Sequence, residues 1–205
     1  MPPHQPSPET DPSDSNPTTP TGVTPYWWED PDLAAAVAEV EDFAATAGWD
    51  VPPQMFALVR TSDLLAAQPE LAATLADSGT FTPIAQDVLP TGDLSEALSQ
   101  ISWPPEVGGC VLVQEIVVLP PASLPTVDGV PLDDASRESN DVEITAEEAA
   151  AHPDRAEARL AAGVLRGSKG GACLLRVRGK EDGTPLRGAD LAPNLLIALQ
   201  ATFQD

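Results

Sequence analysis

Positive charge is what this sequence has least of. Ten Lys and Arg stand against 32 Asp and Glu in 205 residues, a formal net charge of −22. Binding a nucleic-acid backbone needs clustered cations to release counterions, and docking on an anionic lipid surface needs them too, so neither is expected. Histidine is also scarce. His4 lies near the N-terminus, which leaves His152 and the two cysteines, Cys110 and Cys173, as the softer metal-ligand types in the remainder. With no CxxC and no HExxH, no zinc set can be assembled, and neither a metal nor a cofactor is expected. Two cysteines inside apolar runs read as small core hydrophobes and not as a disulfide framework. No stretch approaches the ~18–20 consecutive apolar residues of a membrane span. The first residues carry neither a basic nor an apolar leader pattern, so the expected setting is cytoplasmic.

The few bases are segregated. Before position 137 there are 21 acids and one base, Arg60; from there onward 11 acids accompany nine bases. Such a chain repels its own copies and favours basic partners. Two Lys to eight Arg, amid abundant Ala, Pro and Asp, is also what a GC-rich genome yields.

Residues 1–25 hold eight prolines with Ser, Thr, Asp and Asn and almost no apolar bulk. Burial cannot offset the entropy of ordering such a segment, so a disordered tail is expected. Residues 26–205 are expected to form a single domain, interrupted at about 120–144 by a mobile, Pro- and Asp-rich acidic loop. Asp30 then Pro31 reads as a helix start, and at 100° per residue Leu33, Ala36, Val37, Val40, Phe43, Ala44 and Ala47 share one apolar arc, with Glu39, Glu41 and Asp42 outside it. Gly48 and Pro52-Pro53 stop that helix.

Residues 54–60 read as a strand, and 61–76 as a helical stretch capped by Thr61 or Ser62 and restarted or kinked at Pro69. Residues 81–89 form a weaker strand that Pro83 sends to an edge. Asp93 and Glu96 predict a capped short helix to about Ile101. The run 110–119 is apolar on both alternating faces, as a central strand is. Thr145 and Glu148 suggest a brief helix, 159–166 and 171–178 a hairpin, and 190–203 a closing helix with Leu191, Leu195, Ala198, Leu199 and Thr202 on its stripe. The sum is an α+β fold: an antiparallel sheet of four or five strands with helices packed on it and helices at both ends.

Chemistry-bearing constellations are thin, and no catalytic residue is assigned. His152 with Asp154 offers a base and an orienting carboxylate, but His152-Pro153-Asp154-Arg155 reads more simply as a helix stop with a local ion pair. Gly167-Ser168-Lys169-Gly170-Gly171 lacks the order and the strand-to-helix setting of a phosphate loop. Glu115 interrupts the apolar run; it either lies near a sheet margin, solvated or ion-paired, or, if buried, needs a partner such as Arg60 or Arg159 or takes a raised pKa. Arg176 and Arg178 alternate with Leu175 and Val177 and so share a face, with Arg166, Lys169 and Lys180 nearby. That face offers either a contact for an anion or an acidic peptide, or internal neutralisation. Tyr26, Trp27 and Trp28 form an aromatic cluster that either anchors a partner or pins the first helix. The candidate partner-binding set is therefore Tyr26, Trp27, Trp28, Arg166, Lys169, Arg176 and Arg178.

Four runs together, 48–61 (GWDVPPQMFALVRT), 101–120 (ISWPPEVGGCVLVQEIVVLP), 149–166 (AAAHPDRAEARLAAGVLR) and 190–203 (DLAPNLLIALQATF), resemble an uncharacterised family of acidic proteins from high-GC Gram-positive (actinobacterial) bacteria. The resemblance spans roughly residues 30–205 and implies a bacterial cytoplasmic setting, with no reaction, cofactor or binding residue to carry over. The order of elements is also similar to small α+β folds of secretion-chaperone type, a likeness of fold alone. The leading expectation is a non-enzymatic adaptor or chaperone-like module that binds another protein. The alternatives are a hydrolase-type enzyme using Glu115 or His152, and an acidic nucleic-acid mimic with Asp32, Glu39 and Asp42 on one face.

Overall fold

Six strands, not four or five, build the sheet of the computed structural model, which describes residues 30–87, 89, 93–119, 126–127, 130–131, 151–180 and 183–204. The extra strand is β8 (Leu186–Arg187), two residues in a Pro- and Gly-flanked stretch too short to leave an alternating pattern. The others are β1 (Gln54–Arg60), β2 (Phe81–Ala85), β3 (Val107–Val118), β6 (Ala156–Leu165) and β7 (Gly171–Val177), in the order β2-β1-β3-β6-β7-β8 with every pairing antiparallel. A separate ladder joins β4 (Thr126–Val127) to β5 (Val130–Pro131). It is the described part of the expected 120–144 loop; the tail at 1–25 and the capping box expected at Thr145 and Glu148 lie outside the described residues.

Alternation on β3 and β6 feeds two cores. On one face Phe56, Leu58, Val111, Val113, Ala161, Ala172 and Leu174 pack under α1 (Pro31–Thr46). On the other, Met55, Cys110, Leu112, Leu160, Ala162, Val164 and Cys173 pack under α3 (Leu94–Ser99) and α4 (Pro193–Ala201). A strand buried on both faces has no polar side, which is why β3 reads as one apolar run. The remaining helix, α2 (Thr61–Ala67), and a 3-10 turn (Pro69–Ala73) link β1 to β2.

Local signals placed the starts of α1 and α3, whereas the helix expected from Asp190 begins at Pro193, after a 3-10 turn over Ala189–Leu191. Asp30 caps α1 by accepting from the Leu33 N–H at 2.9 Å, and Asp93 caps α3 by accepting from the Ser95 N–H at 2.8 Å. Thr61 does not cap α2; its hydroxyl donates to the Gly79 carbonyl at 2.7 Å and lies 2.9 Å from that of Thr82. β2 is the outer strand, as Pro83 requires. The Gln86 N–H turns inward to the Met55 carbonyl, so by the two-residue alternation position 83 faces outward, where proline has no N–H to leave unpaired.

The sheet order turns the asymmetry of the sequence into one of space. Among the described residues, 30–119 carry 14 acids and only Arg60 as a base, while 151–204 carry three acids and eight bases. The first group builds β1, β2 and β3, the second β6, β7 and β8. Helix α1, from the acidic group, crosses onto β6 and β7.

Candidate functional site

The C-terminal half of α1 and the turn after it meet the sheet in a charged layer. Glu115 of β3 pairs in register with Arg159 of β6, and Arg159 with Arg176 of β7. Above this row Glu41 descends from α1. Its carboxylate is fully buried, accepting from Arg176 Nε and Nη2 at 2.9–3.0 Å and from Arg159 Nη1 at 3.4 Å. Asp42, 77% exposed, stands 3.8 Å from Arg176.

Gly48 takes the left-handed conformation (φ 85°) that ends a helix without a Cβ clash, and Asp50 follows at φ 66°. This turn lays Trp49 against two guanidiniums, Arg159 at 4.4 Å and Arg178 at 5.4 Å from the ring centroid. Arg159 Nη2 also donates to the Gly48 carbonyl. Arg178 is held by Asp50 at 2.9 Å and by Glu157 at 2.6 Å. Its hydrogen bond and charge keep the Asp50 carboxyl below the usual carboxylate range, and the two acids raise Arg178 in turn.

Two openings flank this layer. A cleft of about 140 Å³ is lined by Ala44, Ala47, Val51, Pro52, Gln54 and Val113, with Glu115 and Arg159 as its charged residues. There Glu115 is half-buried and accepts from the Val51 N–H at 3.3 Å. A second groove of about 140 Å³ runs between α1 and the β2 edge, lined by Glu39, Val40, Phe43, Phe56, Pro83 and Ala85. Phe43 is 57% exposed and meets Phe56 edge to face, centroids 5.9 Å apart.

The apolar arc read from the sequence is therefore rotated. The buried residues of α1 are Leu33, Ala34, Ala36, Val37, Val40, Glu41 and Ala44, an arc turned by about 40° at 100° per residue, which brings Ala34 and Glu41 in and leaves Phe43 out, while Ala47 is exposed as the residue that caps the helix end. Phe43 and Ala47 line the two openings.

Of the candidate partner-binding residues, Arg176 and Arg178 do share a face, engaged as described. Arg166 is taken up internally: it donates to the carbonyls of Trp103, Pro104 and Val107 at 2.9–3.1 Å and lies over the Phe203 ring. Lys169 is exposed, beside Gly171, Leu196, Ile197 and Gln200 in a groove of about 340 Å³. Tyr26, Trp27 and Trp28 lie outside the described residues. His152 is in a turn, its Nδ1 accepting from the Asp154 N–H at 3.2 Å, and does not line the Glu115 cleft. Asp32, Glu39 and Asp42 are all exposed on α1. Cys110 and Cys173 are free, and burial pushes both thiols up to about 12. Among the described residues no group of three or more His, Cys, Asp or Glu is placed to hold a metal, and no helix is long and apolar enough to cross a membrane.

The sequence signature described as PPA1309-like protein matches residues 33–204, both cores and the charged layer included. The chain belongs to the PPA1309-like protein family. The match covers the span over which the four sequence runs carried their resemblance. No curated protein and no solved structure matches the chain.

Proposed function

We propose that the protein is a non-enzymatic, cytoplasmic protein-binding module of an actinobacterial cell, adaptor or chaperone-like in role, whose partner presents a basic segment with an apolar anchor. The observation that carries this reading is Phe43. A phenylalanine left 57% exposed beside an apolar groove forgoes much of the ~1.5–3 kcal/mol that burying it contributes. Aromatic side chains, phenylalanine among them, are enriched in the cores of protein interfaces. Glu39 lines the groove and Asp42 stands next to Phe43, while no base lines it, so the complementary segment carries Lys or Arg around its anchor. Pro83 blunts the neighbouring sheet edge, which favours side-chain docking over addition of a strand. The hydrolase reading, using Glu115 or His152, has less support, because no second Asp, Glu or His lines the Glu115 cleft and its Arg159 is committed to Glu41 and the Gly48 carbonyl.

The test is affinity capture from the native host with the intact protein and with Phe43→Ser, followed by binding measurements on the purified partner. A stoichiometric partner held roughly ten-fold more weakly by Phe43→Ser, with affinity falling as salt rises, is the expected result. A partner held equally by both proteins, or none at all, overturns the reading.

A further inference from the structure

Among the described residues, the arginines of the charged layer are all matched by acids. Arg159 and Arg176 share Glu41, Asp42 adds to Arg176, and Arg178 has Asp50 and Glu157. Glu115 is the acid left over. One carboxylate oxygen accepts from the Val51 N–H at 3.3 Å, and no described cation lies within ion-pair distance of either oxygen. Arg159 lines the same cleft, but its side chain is 3% exposed and is committed to Glu41, to the Gly48 carbonyl and to Trp49. The layer as a whole holds five acids and three arginines.

Around that carboxylate the walls are mostly apolar, from Ala44, Ala47, Val51, Pro52 and Val113, with Gln54 and Gln114 as the uncharged polar residues. Ligand pockets for drug-sized molecules run to about 300–1,000 Å³. At about 140 Å³ this cleft suits one side chain.

We infer that the Glu115 cleft is a receptor for a single lysine side chain of a protein partner, its aliphatic stem against Ala44, Ala47, Val51 and Val113 and its ammonium on Glu115. A lysine fits better than an arginine. The guanidinium fork is best met by both oxygens of a carboxylate, and here one is already engaged by a backbone N–H, whereas an ammonium is a point charge that one oxygen can take. The stem covers apolar wall while the charge reaches its counter-ion. This deepens the proposal above and rests on it for the origin of the lysine. The subsite can be tested without the partner.

The probe is acetyl-Ala-Lys-Ala-amide, titrated at low salt into the ¹⁵N-labelled full chain. Expected is a saturable shift of the Val51 amide, whose hydrogen bond to Glu115 reports directly on the site. Glu115→Gln, nearly isosteric and still able to accept from Val51, should bind at least about ten-fold more weakly. Ala47→Leu, a plug introduced from an exposed position, should do the same. The norleucine and arginine analogues of the probe should bind more weakly than the lysine peptide, and Phe43→Ser should bind it within about two-fold of the unaltered chain. Absence of a saturable Val51 shift, equal binding by Glu115→Gln and Ala47→Leu, or norleucine or arginine binding as well as lysine overturns the assignment. Partner loss in Phe43→Ser with an unchanged lysine titration separates the two proposals, as does the converse.

Discussion

Glu41 and Arg176 meet as a two-pronged pair, with Nε 3.0 Å from both carboxylate oxygens and Nη2 2.9 Å from Oε2. Arg159 closes on Oε1 from the next strand. A carboxylate with no solvent exposure loses most of its hydration, and attraction in the less polar interior repays that only when the hydrogen bonds are complete. Here they are: among the described residues no buried side-chain nitrogen or oxygen lacks a partner. Removing the carboxylate leaves two guanidiniums facing each other under α1.

Glu41→Ala should therefore cost about 3–5 kcal/mol, read as a lower urea midpoint at unchanged slope. Glu41→Gln should cost less, since it keeps acceptor geometry and loses only charge. Replacing the whole triad, with Met at 41 and 159 and Leu at 176, should recover most of the loss, because it removes the uncompensated charges together. A Glu41→Ala protein as stable as the parent would mean that the triad is not formed in solution.

Glu41 is also where reading the chain alone failed, for a physical reason. A helical wheel sorts residues by polarity, and on that criterion Phe43 belongs inside and Glu41 outside. What reverses them is a pair of arginines 118 and 135 residues away, which no local pattern announces. Leu196 was missed on α4 in the same way, because every position from Leu195 to Leu199 is apolar and the wheel cannot choose among them. Strands fared better. Gln54 to Arg60 was found to the residue, and β3, β6 and β7 to within a few, because alternation and the Gly167–Gly170 turn are local signals. The Glu115 cleft was half legible: the odd carboxylate in an apolar strand stood out, but its apolar walls come from α1 and the following turn, which meet β3 only in three dimensions.

The crossing of α1 over β6 depends on Gly163. A Cβ there would lie 2.6 Å from Val37 Cγ2, 3.1 Å from Val111 Cγ2 and 3.2 Å from Leu33 Cδ1. Those side chains sit in the packed core beneath α1 and have little room to yield. Gly163→Ala should destabilise by about 1–3 kcal/mol. Adding Val37→Ala should restore part of that, so a double-mutant cycle on unfolding free energies should give a favourable coupling between the two positions. Additive losses would place α1 farther from β6.

Trp49 and Asp50 separate packing from surface charge. The Asp50–Arg178 pair is short but solvent-exposed, so salt should screen it and Asp50→Asn should leave the unfolding midpoint nearly unchanged. Its signature is in titration instead. With the folded-state pKa below that of the unfolded chain, the contribution of Asp50 is present above pH 3.8 and fades as the pH falls further. Carboxyl NMR should place the Asp50 midpoint below 3.8, and Arg178→Gln should move it back up. Trp49→Leu, which removes a ring in contact with two guanidiniums, should cost about 1–3 kcal/mol.

Cys110 and Cys173 give the protein an alkaline limit. Both thiols lie in the core between the sheet and α4, and burial raises them from 9.0 to about 12. The folded state then holds its thiol protons where the unfolded chain releases them. Below pH 9 both states are protonated and the thiols add no pH dependence. Between about 9 and 12 stability falls as pH rises, by up to about 1.4 kcal/mol per pH unit for each thiol. Other groups titrate in the same window, so the informative quantity is a difference. The unfolding free energy of Cys110→Ala/Cys173→Ala should start lower, from the lost core volume, and decline less steeply above pH 9 than that of the parent. At pH 8 the same burial should make thiol labelling with a disulfide reagent follow unfolding, so that adding urea accelerates it. Fast labelling of the folded parent at pH 8, or identical alkaline slopes for the two proteins, would show that this face of the sheet is open to water.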